Sequence, residues 1–184
     1  MQYHYDIAAT KFGKFFLLDS KQGLHFILKN TDKRIPQIKK TYKPQKKLFN
    51  QIILENFIGS SLGKVISKKQ KIKFLVGTTL QKNVWTYLQS IPKGQTLSYS
   101  NLAEKLCLKS AVRAVASAVG KNPISILIHC NRIIRKDGSI GEYAWGRKMK
   151  RELLDIEVSG MADSIYRGGK WNTESAPAWM LTAP

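Results

Sequence analysis

The chain has 184 residues and a formal net charge of +19, from 31 Lys and Arg against 12 Asp and Glu. That length fits one ordinary domain or two small ones with a real core, and 43% apolar residues exclude an intrinsically disordered chain. No apolar run reaches the roughly 18 residues that a membrane-crossing helix needs, the N-terminus does not read as a secretory leader, and the two cysteines, Cys107 and Cys130, exclude a disulfide framework and suggest a reducing compartment.

A chain this basic suits a polyanionic partner, bound with salt-sensitive affinity. The competing reading is a lysine-rich composition, since 24 of the 31 basic residues are Lys. The excess is uneven: net +12 over residues 1–76, +7 over 77–157 and zero over 158–184.

In chain order, Tyr3–Ala8, Lys14–Leu18 and Gly23–Leu28 are short apolar or aromatic runs separated by Gly13 and Ser20–Gly23, a pattern of β-hairpins. Lys29–Lys47 is a Lys-rich connection with some helix, Leu48–Ile58 has helical apolar spacing, and Ile72–Val76 is a β-type run before Gly77. Thr79–Ser90 places Leu80, Val84, Tyr87 and Leu88 on one side of a helix that ends at Ile91–Pro92. Ser98 caps a helix through Ala103–Leu106, and Ser110 caps a second, Ala111–Val119, stopped by Gly120. Two short helices closely joined suggest a helix-turn-helix. Ile124–Ile128 reads as a buried strand or extended segment, and Arg147–Ile156 as a last helix. The expected organisation is α/β (α+β): a small N-terminal α/β domain over 1–76, a helical DNA-binding and reactive domain over 77–158, and an extension over 159–184 that need not be ordered.

The second helix of the pair is built from small residues, Ala111, Ala114, Ala116, Ser117, Ala118 and Gly120, with Arg113 as its one long cation. Such a helix either packs closely on its own core or enters a narrow groove of DNA.

Asn122-Pro123, Ile126-Leu127-Ile128, Cys130, Arg132-Ile133-Ile134, Gly138, Gly141, Tyr143 and Trp145-Gly146 resemble the O6-alkylguanine-DNA alkyltransferases. Gln81, Val84-Trp85, Ile91-Pro92, Gly94 and Ser98-Tyr99 sit at that family's spacings upstream. The resemblance is close from Gly77 to Glu157 and weaker over residues 1–76. It implies a protein of the cytoplasm, acting as a monomer on double-stranded DNA and approaching from the minor groove. The alkylated guanine is flipped into a pocket, and a cysteine thiolate takes the alkyl group once, with no cofactor and no membrane.

The same resemblance assigns roles. Cys130 is the nucleophile; Arg113 inserts into the base stack; Tyr99 presses on the phosphate beside the target nucleotide. Ala114 belongs to the DNA-reading helix, Asn122 is the hinge between that helix and the reactive segment, and Arg132 is a further DNA contact. Tyr143 donates a hydrogen bond to the departing guanine, and Glu157 is the outer member of a Cys–His–Glu relay. Cys107 reads as structural.

The chain departs from the pattern at His129-Cys130-Asn131-Arg132, where the family has Pro-Cys-His-Arg. Asn131 stands where the family's histidine takes the thiol proton, and an amide cannot take it at neutral pH, although it can still bond Glu157. Two further readings stay open: a lesion-binding protein that transfers nothing, and a helix-turn-helix repressor reading base edges. No metal is expected: residues 1–76 hold no cysteine, and His4 and His25 are too few for zinc.

Overall fold

The computed structural model describes residues 1–10, 12–47 and 71–165, with side chains to Val158. The helix expected over Leu48–Ile58 and the tail beyond Ile165 lie outside the described residues. Those described form two compact units, one of residues up to Gly77 together with Pro123–Ile126, the other of Thr78–Asn122 and the residues from Leu127 on. The fold is mixed α/β.

In the first unit, β1 (Tyr3–Thr10), β2 (Gly13–Ser20) and β3 (Gly23–Lys29) form the expected antiparallel meander. Helix α1 (Ile35–Tyr42) follows, and the two-residue β4 (Gln45–Lys46) returns parallel to β1, giving the order β3-β2-β1-β4. Gly13 and Gly23 supply the positive φ that their turns need. Phe16 and Leu18 of β2 and Phe26 and Leu28 of β3 share a face that Ile35 and Ile38 of α1 cover. Phe15 and Leu17 are also buried, so β2 reads as a continuous apolar run, not an alternating one. Ile72–Val76 contributes only a single parallel bridge, Leu24 to Ile72, before the chain bends.

The second unit begins with α2 (Thr79–Leu88). Thr78 and Gln81 close a reciprocal capping box at its start, a signal present in the sequence spacing. Val84, Trp85 and Leu88 are its buried face, and the Trp85 indole donates to the Ala118 carbonyl at 2.8 Å. That bond ties α2 to α4 (Val112–Gly120). Between them, β5 (Leu97–Ser98) leads into α3 (Tyr99–Lys105), whose start Ser98 caps by accepting from the Asn101 amide.

Ser110 does not cap α4. It lies inside a 3-10 turn, Lys109–Ala111, that ends directly in α4, leaving no bend at which a side chain could reach back. Cys107 is exposed at φ +58 in the same connection, so it is not a buried packing thiol. Short β6 (Ile133–Ile134) pairs parallel with β5 and so sets Tyr99 beside the residues after Cys130. The last helix, α5 (Arg147–Ile165), runs past its expected end at Ile156 and takes in the first residues of the expected tail. No described helix is long and apolar enough to cross a membrane.

Candidate active site

The site is built around Cys130, which is 5% exposed. It opens a 3-10 turn, Cys130–Arg132, rather than lying on an extended strand. The preceding segment is extended only near Ile124, which bridges to Ile27; Ile126 then turns at φ +79. A β-branched residue in that conformation is strained and needs a surrounding structure that over-determines it. One such constraint is Asn122. Its side-chain amide donates to the Ile128 carbonyl at 2.9 Å and to the Cys130 sulfur at 3.1 Å. One amide thus closes the loop and places a donor on the Cys130 sulfur. A donor at sulfur favours the thiolate over the thiol.

Behind Cys130 lies a buried polar network. Asn131 is 2% exposed and Glu157 1% exposed. The Asn131 amide donates to Glu157 Oε1 at 2.8 Å, so the hydrogen bond expected of that position is made, without a titratable ring. Arg132 Nε donates to Glu157 Oε2 at 2.8 Å, and its Nη1 donates to the Ile91 carbonyl at 2.5 Å. The Gly94 amide donates to the same Glu157 oxygen at 3.2 Å, from a residue at φ +74 that suits glycine. Glu157 therefore accepts from three donors and ties the turn after α2, the reactive turn and α5 together.

Arg132 was expected to meet DNA. It is 4% exposed and committed to Glu157, so its guanidinium clamps the interior of the site and offers no surface to a phosphate. A charge at this depth is stable only when paired.

Two phenols lie near Cys130. The Tyr143 hydroxyl is buried, with no hydrogen bond of ordinary geometry among the described residues. Burial, and then the proximity of Cys130, push its pKa well above the usual phenol value, so it stays protonated and available as a donor. Trp145 packs edge-on against its ring at 5.7 Å. Tyr99 is half-buried at the first position of α3, and its pKa is raised mainly by burial and next by Cys130.

Helix α4 sorts by face. Val115, Ala118 and Val119 are buried, whereas Arg113, Ala114, Ser117 and Gly120 are exposed along one side. Of the expected site residues, the second unit gathers Cys130, Asn131, Tyr143, Tyr99, Asn122, Arg132 and Glu157 at its reactive turn, and sets Arg113 and Ala114 on the open face of α4.

The sequence reading missed Lys150. It is completely buried, and its ammonium donates to the carbonyls of Ile133 at 2.5 Å, Ile140 at 2.6 Å and Glu142 at 3.4 Å. It fastens the loop carrying Tyr143 to β6. Burial lowers its pKa to about 8, while the nearby Cys130 opposes that shift. The signal was available: Lys150 falls on the helical stripe of Leu153, Leu154 and Glu157, where a solvated lysine does not belong.

Comparison with known proteins follows the same geometry. The family model described as 6-O-methylguanine DNA methyltransferase, DNA binding domain, matches residues 79–159. A methylated-DNA–protein-cysteine methyltransferase of Methanosarcina barkeri is 35% identical over 161 residues, covering 86% of this chain and 99% of that protein. The Candida glabrata protein of the same name is 37% identical over 108 residues, covering 57% of this chain and 52% of its own. Several of the curated relatives are thus matched over about half of their length or less. Among solved structures, Mycobacterium tuberculosis OGT in complex with DNA matches with a TM-score of 0.73 at 26% identity, over 85% of this chain and 94% of that one. The near-complete match to the M. barkeri protein, together with the shared fold, places this chain in the methylated-DNA–protein-cysteine methyltransferase family.

Proposed function

We propose that the chain repairs O6-alkylguanine in duplex DNA by moving the alkyl group irreversibly onto Cys130. The observation that carries this reading is the Asn122 amide on the buried Cys130 sulfur, 3.1 Å away, with the buried Tyr143 hydroxyl nearby. The thiolate attacks the alkyl carbon; a sulfur–carbon bond forms as the carbon–O6 bond breaks. The bonding pair leaves with the guanine, which ends with the proton that the thiol gave up. Tyr143 donates a hydrogen bond to the base as that charge develops.

On the DNA side, α3 and α4 act as a helix-turn-helix at the minor groove. The small exposed face of Ala114, Ser117 and Gly120 allows close approach, Arg113 fills the gap left by the flipped base, and Tyr99 presses on the adjoining phosphate. Asn122 links this helix to the reactive turn. The chain works as a monomer in the cytoplasm.

The test is intact-mass analysis after incubation with an O6-methylguanine duplex. One methyl adduct, located on Cys130 and absent in Cys130→Ala, is expected. Tight binding to the lesion with no adduct under prolonged excess substrate would overturn transfer in favour of lesion binding alone.

A further inference from the structure

The open face of α4 carries one cation, Arg113, with Lys121 just beyond its end. That is few charges for holding a duplex, since sequence-independent binding commonly rests on about 6–10 phosphate contacts. The second unit has a stronger concentration elsewhere. A cleft of about 470 Å³ opens between the loop after β6 and the first turns of α5, lined by Arg135, Arg147, Lys148 and Arg151. All four are exposed.

The carboxylates nearby cancel only part of this charge, and Asp137, itself in the cleft lining, acts on Arg135. Glu142 pairs with Arg147 at 2.5 Å. Asp137 accepts from the Ser139 amide at 2.9 Å within its own turn. Among the described residues, Lys148 and Arg151 have no carboxylate within ion-pair distance. The start of α5 adds the positive end of a 19-residue helix.

Arg135 connects this cleft to the reactive site. Its charge acts on Tyr99, the residue expected at the phosphate next to the target. Its stem runs against Gly141, where an added Cβ would come within 3.3 Å of its Cγ. Glycine at φ +70 thus leaves room for Arg135 to lie along the loop.

We propose that the cleft of Arg135, Arg147, Lys148 and Arg151 is a second phosphate anchor, gripping the backbone of the same duplex beyond the nucleotide at Tyr99. It rests on the reading that the chain acts on DNA. Arginine and lysine suit this task because phosphodiester oxygens accept paired or point-charge contacts without regard to base identity.

The experiment measures affinity for an undamaged duplex by fluorescence anisotropy at several salt concentrations. It compares the wild-type chain, the Arg147→Ala/Lys148→Ala/Arg151→Ala variant, and a charge-matched control, Lys21→Ala/Lys33→Ala/Lys40→Ala, in exposed positions of the first unit. Removing one cation from a phosphate lowers the slope of log affinity on log salt by about 0.9, so removing three lowers it by about 2.7 and weakens binding roughly 500-fold at 0.1 M salt. The anchor predicts that drop in the cleft variant and an unchanged slope in the control. A milder Lys148→Gln/Arg151→Gln variant, with its urea midpoint measured, separates weakened phosphate binding from a damaged fold and should show an intermediate slope. Equal decreases in cleft variant and control would reduce the effect to bulk charge, and unaltered slopes in both cleft variants would remove the anchor. Absence of a Cys130 adduct in the wild-type chain would sink the repair function while leaving these salt slopes readable.

Discussion

Replacing Glu157 by Gln should cost this protein a large part of its stability. The substitution keeps the side chain's shape and one oxygen, but removes the charge that Arg132 faces at 2.8 Å, both groups lying almost wholly out of water. Deleting one partner of a buried pair leaves the other charge uncompensated, at a cost of about 3–5 kcal/mol. The new amide also sets N–H groups against donors already present on Asn131, Arg132 and Gly94. Against a total of about 5–15 kcal/mol for a typical domain, that is about a fifth or more. With a urea slope of roughly 2 kcal/mol per molar, the midpoint should fall by about 2 M. The fluorescence of Trp85 and Trp145, both buried in the second unit, reports that transition. A companion Arg132→Met change in the Glu157→Gln background should recover much of the stability, because no orphan charge then remains. A drop below about 1 kcal/mol for Glu157→Gln would refute the view that this pair holds the site together.

Other expectations follow from the same geometry. Asn131→His should speed alkyl transfer by about 10²–10⁴-fold, the usual worth of a general base, and give the rate a titration near the histidine range; an unchanged rate and pH profile in stopped-time mass assays would show that Asn131 is no handicap. Lys150→Met removes an ammonium whose burial costs about 3 kcal/mol, from 10.5 to about 8 at 1.36 kcal/mol per pH unit, but orphans carbonyls at about 1–3 kcal/mol each. The urea midpoint should therefore fall rather than rise, since three carbonyls are left behind, while amide exchange over Ile140–Tyr143 quickens; slow exchange there in the variant would show that Lys150 does not fasten the loop. In the first unit, His25 is buried between the Ser20 hydroxyl and the Lys73 carbonyl, and burial holds its pKa below the ordinary value. The unfolded chain then binds its proton first as pH falls, so stability declines from pH 7 toward 5. His25→Gln should flatten that decline in urea titrations, and an equally steep decline would assign it to other groups.

Much of the architecture was legible along the chain. The meander was written in three β-rich runs punctuated by glycines, because strand pairing of neighbours is decided by local turns. Ser98 announced the start of α3 through its own hydroxyl, and Val84 and Leu88 of the expected α2 stripe are buried, whereas Trp85, buried beside them, was not part of that stripe. The reactive residues were legible as a pattern: Cys130, Asn131, Tyr143 and Glu157 stand at spacings resembling one family, and the departure at Asn131 was plain at once. Ser110 misled because a capping residue looks the same whether the chain bends before a helix or enters it through a 3-10 turn.

What the linear order could not decide was which charges would be removed from water. Arg132 and Lys150 look like ordinary surface cations of a lysine-rich chain, yet one is clamped by Glu157 and the other bonds three backbone carbonyls. Arg147, Lys148 and Arg151 are spaced much like them and remain exposed. Sequence by itself determined most of the element types, the candidate reactive cysteine and the asparagine beside it, since these depend on residue identity and near neighbours. The burial of a charge depends on partners that the chain brings back from 25 or 41 residues away, as Glu157 and Ile91 are for Arg132, and only the tertiary structure supplies them.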